Sequence, residues 1–120
     1  MVLYRPVGTK ELELIKESGY TKYPPRLPEQ PIFYPVLNEK YATEIAAGWN
    51  VKYNDDHKVN VTKFEIDDEY FQLFEVHVVG SKYHQELWVL TEELDVFNKH
   101  IIGKIQVIRE FSADGQDETN

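Results

Sequence analysis

Charged side chains inside otherwise apolar segments are the first candidates for chemistry, because a buried charge is costly unless something pairs with it. Arg5 lies in the run 2–7, where strand alternation puts it on the face of Leu3 and Val7. Glu86 lies in His84-Gln85-Glu86-Leu87-Trp88-Val89, where alternation puts it beside His84, Trp88 and Leu90. Each also has a plainer reading. Arg5 fits a strand-end arginine paired with a surface carboxylate, and Glu86 fits a solvent-facing residue on a sheet with one wet side. The aromatics Tyr34, Tyr41 and Trp49 suit a core as well as they suit a ligand platform.

Other chemistries find little footing. The four histidines, His57, His77, His84 and His100, show no ligand-like spacing, and His84 with Glu86 lacks a third partner, so no metal is expected. Ser18, Ser81 and Ser112 sit in no nucleophile elbow, and the glycines form no phosphate cradle. The absence of cysteine removes disulfides, thiolate metal sites and thiol nucleophiles, and it fits a reducing compartment. No basic region followed by an apolar run opens the chain, and no stretch approaches the ~18 apolar residues of a membrane span. A cytoplasmic location without membrane contact is the expectation. The formal charge of -8 argues against non-specific nucleic-acid binding.

The elements that must position these residues follow from patterning. Residues 2 to 7 are predicted as a strand. Gly8-Thr9 then gives a turn and N-cap for a helix from Lys10 to Ser18, stopped by Gly19. The segment Pro24-Pro25-Arg26-Leu27-Pro28-Glu29-Gln30-Pro31 is a stiff extended loop, either a connector or ligand-facing, because proline lacks the N–H and restrains its predecessor. Residues 31 to 37 read as a strand buried on both faces, with Pro35 suggesting an edge or a bulge. Asn38 caps a helix whose Tyr41, Ala42, Ile45, Ala46 and Trp49 form one stripe. An exposed loop through residues 54 to 58 leads to a strand from Val59 to Ile66. Asp67 then caps a short helix with Tyr70, Phe71 and Phe74, and a hairpin joins Glu75–Val79 to His84–Leu90 through Gly80-Ser81. Thr91 starts a helix with Leu94, Phe97 and Ile101 inward and Gly103 as its stop, and Lys104 to Phe111 is the last strand.

The predicted class is α+β, with a mixed, mainly antiparallel sheet and three to four short helices. Residues 1–111 form a single domain, and 112–120 form a disordered acidic tail. A chain of 120 residues with 42% hydrophobic content can build one core and has no room for a second.

Several blocks carry a family resemblance. Leu3-Tyr4-Arg5-Pro6-Val7-Gly8, Pro24-Pro25-Arg26-Leu27-Pro28, Gln30-Pro31-Ile32-Phe33-Tyr34-Pro35-Val36-Leu37-Asn38, Tyr41-Ala42, Trp49-Asn50, His84-Gln85-Glu86-Leu87-Trp88-Val89 and Phe97-Asn98-Lys99-His100-Ile101-Ile102-Gly103 together resemble small bacterial proteins labelled "ADP-ribosylation/crystallin J1". The order of elements is similar to a minimal ADP-ribosyltransferase-like fold, in which three strands each present one residue to NAD. That resemblance implies NAD or an ADP-ribosyl nucleotide as ligand, with ADP-ribosyl transfer or NAD cleavage as the activity and a protein as acceptor or partner. It implies Glu86 as the catalytic carboxylate, Arg5 on the pyrophosphate, Tyr34 against the nicotinamide or ribose, and Tyr41 and His84 as further cofactor-binding residues. The second Glu or Gln of arginine-specific transferases has His84 in its place, and Phe33-Tyr34-Pro35 stands where that class has Ser-Thr-Ser. The alternatives are a non-catalytic protein-binding module on the same fold, using the proline-rich loop and its aromatics, and a small acidic regulator steered to a basic partner.

Overall fold

The computed structural model describes residues 1–25, 31–50 and 58–112, with the side chains of Trp49 and Asn50 excepted. Most of the proline-rich loop, the polar loop before Lys58 and the acidic tail from residue 113 lie outside the described residues, as does the inward placement expected for Trp49.

The elements run β1 (Val2–Val7), α1 (Thr9–Glu17), β2 (Ile32–Phe33), α2 (Glu39–Ile45) and a π-helical turn (Ala46–Asn50). They continue as β3 (Val59–Ile66), α3 (Asp68–Phe71), β4 (His77–Val78), β5 (Gln85–Glu86), β6 (Val89–Leu90), a 3-10 turn (Thr91–Glu93), α4 (Leu94–Lys99) and β7 (Ile101–Phe111). The α+β class with antiparallel pairing is thus present.

β3 pairs antiparallel with both β1 and β7, β2 with β6, and β4 with β5. Bridges from Tyr4 to Val36 and from Val36 to Glu86 weld these pieces together. One register governs the second pairing throughout, because Ile32 faces Leu90, Phe33 faces Val89 and Val36 faces Glu86. The Leu37 N–H donates to the Gln85 carbonyl at 3.0 Å and the Leu87 N–H to the Pro35 carbonyl at 2.9 Å. The result is one antiparallel sheet in the order β7, β3, β1, 32–37, 85–90, β4. Pro35 was expected at an edge or a bulge, yet its strand is internal. Proline returns no donor across the ladder, and regular pairing accordingly breaks between Phe33 and Val36.

Opposed residues in an antiparallel ladder point to the same face. Lys63, Tyr4, Val36, Glu86 and His77 therefore form one row on one face, while Leu3, Arg5, Val7, Phe33, Leu87 and Val89 belong to the other. The latter face carries the larger core, in which Leu12 and Ile15 of α1 and Phe97 and Leu94 of α4 pack on Leu3, Phe33 and Phe64. The former face carries a smaller cluster, where Ala42 and Ala46 pack on Val36, Val59, Val61 and Phe111.

Local chemistry explains most ends. The Asn38 side chain accepts from the Tyr41 N–H to cap α2, and Asp67 accepts from Tyr70 to cap α3. Gly19, at φ 76°, leads the chain out of α1. Three expectations need correction. The N-cap position falls on Gly8 and not on Thr9, so α1 starts one residue earlier than expected, at Thr9. Thr91 opens a 3-10 turn without a side-chain cap. Gly103 does not stop α4; it lies inside β7 at φ 69°, beside a register shift between Lys63 and Glu65. Ile101 accordingly belongs to the strand, which begins three residues before Lys104.

Candidate functional site

Arg5 and Glu86 fall where alternation put them within their own strands, and both are only 9% exposed. They lie on opposite faces of the sheet. The Arg5 guanidinium sits 4.6 Å over the Phe33 ring, and its Nε donates to Glu11 Oε2 at 3.2 Å. A second contact, Nη2 to Glu11 Oε1 at 3.4 Å, completes a fork onto a carboxylate of α1. The Arg5 carbonyl accepts from the Thr62 hydroxyl at 2.7 Å, which in turn accepts from Tyr23 at 2.8 Å, since Thr62 has a single proton to give. Arg5 is thus a neutralised, aromatic-stacked member of the larger core. Burial pushes the Tyr23 hydroxyl well above the usual phenol range.

Glu86 stands at the centre of a different set. Trp88 Nε1 donates to one of its oxygens at 2.7 Å and the Tyr41 hydroxyl to the other at 3.1 Å. No Lys or Arg pairs with it among the described residues. Burial, and then the Glu86 charge, push the Tyr41 hydroxyl up to about 12, so it acts as a donor throughout the physiological range. His77, opposite Glu86 across the hairpin, stacks on Trp88 with ring centroids 3.7 Å apart and planes within 5°. Tyr34 meets Trp88 edge to face at 6.3 Å and 86°.

His84 stacks on Tyr41 at 4.5 Å. The Ser81 N–H donates to His84 Nδ1 at 3.1 Å, which fixes the ring proton on Nε2, where Glu44 Oε1 lies 3.1 Å away. Glu44 also accepts from Tyr83, and that bond, followed by His84, holds its carboxyl below the usual carboxylate range. Lys40 lies 4.3 Å over the Tyr83 ring. A Cβ on Gly80 would approach His84 Nδ1 to 2.4 Å, so the position of the His84 ring against the turn depends on that glycine.

Of the five residues singled out from sequence, Tyr34, Tyr41, His84 and Glu86 share one network and Arg5 does not. Sequence reasoning passed over Trp88, His77 and Glu44 as site residues. The two-residue step from Glu86 to Trp88 on one strand face was a usable signal; His77 and Glu44 enter only through the hairpin and α2. Among the described residues no three His, Asp or Glu side chains group to hold a metal, and no helix is long and apolar enough to cross a membrane. Compared with protein-family models, curated proteins and solved structures, the chain matches none.

The chemistry available at Glu86 is a carboxylate held in place by two uncharged donors and flanked by half-exposed aromatic rings. Such a group binds hydroxyls or a positive charge.

Proposed function

We propose that the domain is a non-catalytic protein-binding module, and that its contact surface is the Glu86 face of the sheet, where a partner presents a positively charged side chain. The observation that carries this is the separation of Arg5 from Glu86 onto opposite faces, each held by its own helix. The charges that transferase chemistry would aim at one nucleotide do not meet. Meanwhile Tyr34, Trp88 and Leu90, at 40%, 42% and 43% exposure, leave an aromatic and apolar patch beside a carboxylate that no Lys or Arg among the described residues pairs with. A net charge of -8 favours a basic partner. A photo-crosslinking residue at position 34 is expected to capture a partner in a salt-sensitive way, and the same residue in place of Lys16 on α1 is expected to capture none. Equal capture from both positions, or none from position 34, overturns the reading.

A second reading is NAD or ADP-ribosyl nucleotide binding, with ADP-ribosyl transfer or NAD cleavage as the activity. Support for it lies in Glu86, Tyr34 and Tyr41 sharing a face, with the carboxylate suited to a ribose hydroxyl and a ring to nicotinamide. A pyrophosphate would need a cation other than Arg5. Amide shifts with NAD and ADP-ribose around Glu86, and nicotinamide release lost in Glu86→Gln, would establish it over the first.

A further inference from the structure

The patch beside Glu86 has a shape that narrows what the positive group can be. Tyr34 and Trp88 stand at 86° to each other, forming two walls of a corner, and His77 packed flat on Trp88 holds the indole in place. Glu86 borders the corner through its hydrogen bond from the indole N–H. Ring faces present the negative part of the aromatic quadrupole, and Glu86 adds a carboxylate that no Lys or Arg among the described residues pairs with. A cation is therefore the group that gains most from entering.

The burial of Glu86 narrows which cation: its oxygens keep acceptor capacity, but an entering group meets the half-exposed rings before it reaches the carboxylate. Each carboxylate oxygen already accepts a donor, one from Trp88 and one from Tyr41, and the residue is 9% exposed. A primary ammonium brings three N–H donors and a tightly held hydration shell, and ring faces replace neither well. A methylated ammonium keeps the charge, carries few or no donors and sheds water more readily, so its polarised methyl groups can lie against both rings. We propose that the Tyr34, Trp88 and Glu86 corner is a recognition site for a methylated ammonium group carried on a lysine side chain of the partner. This rests on the protein-binding reading and adds the chemistry of the group recognised.

The test uses the full chain and follows the Trp88 indole N–H resonance, assigned through Trp88→Phe. Three versions of one short peptide are titrated: one with trimethyllysine, one with unmodified lysine, and one in which an uncharged carbon replaces the quaternary nitrogen. The trimethyllysine peptide is expected to bind about 3- to 30-fold more tightly than the carbon isostere, the range of a cation over an aromatic face. It is also expected to bind more tightly than the lysine peptide. Tyr34→Leu, a change at a half-exposed position, is expected to remove the preference without unfolding the chain, and Glu86→Gln to weaken it.

Equal binding of trimethyllysine and its isostere overturns the inference, as does equal or tighter binding of unmodified lysine, or no shift at millimolar peptide. Preference for phosphatidylcholine vesicles over the peptides overturns the assignment to a protein-borne group. Crosslinking from position 34 with none of the expected peptide preference leaves the protein-binding reading standing alone. Loss of both removes both.

Discussion

The two candidate charges differ in what would happen on removing their neighbours. Thr62 bridges the Tyr23 hydroxyl and the Arg5 carbonyl in a fully buried chain, so Thr62→Val leaves the buried Tyr23 hydroxyl without its partner. A loss of about 1–3 kcal/mol is expected in denaturant melts. Tyr41→Phe removes one donor to Glu86 from a half-buried position and is expected to cost about 1 kcal/mol, read by the same melts. The inward face of Arg5 and the shared face of Glu86 and Trp88 were legible from alternation alone. Their separation was not. It depends on Tyr4 facing Val36 and Val36 facing Glu86, which places even-numbered residues of all three strands on one side and Arg5 on the other. A shift of one residue in either pairing would have put the two charges together, and no local pattern specifies that register.

Among the elements, α2 ties the site to the fold. Asn38 caps it by accepting from the Tyr41 N–H at 2.8 Å, and its amide also donates to the Tyr83 carbonyl. Asn38→Ala is expected to destabilise the chain by about 1–2 kcal/mol and to move the resonances of Tyr41 and His84 together. Capping and helical spacing made this element readable, as they did α3. The start of β7 was not readable, because a glycine after a helical pattern signals a stop as well as it signals a strand irregularity. Gly103 is the latter, and its φ of 69° makes Gly103→Ala cost about 1 kcal/mol, visible as a lowered denaturation midpoint. The internal position of the strand around Pro35 was likewise hidden, since a proline argues for an edge and only long-range pairing overrides it.

At the scale of the whole molecule, buried phenols set an alkaline limit. The folded state raises the hydroxyls of Tyr23 and Tyr41 above the ~10 of an unfolded tyrosine. Unfolded phenols thus release protons first, and stability that is complete below pH ~10 falls as pH rises toward the value of about 12 for Tyr41. Denaturation midpoints are expected to stay flat from pH ~8 to ~9.5 in this respect and to drop beyond ~10. Tyr41→Phe is expected to reduce that drop. The placement of β1 in the interior of the sheet also has a bearing on how the chain is made. Residues 2–7 are synthesised before the segments they pair with, Val36 and Val59–Ile66, and β3 itself waits for Ile101–Phe111. The earliest strand must therefore stay uncommitted through most of synthesis, its Leu3 and Val7 available to any other unpaired edge. Nascent chains halted before residue 59 are thus the species in which this protein would most need a chaperone.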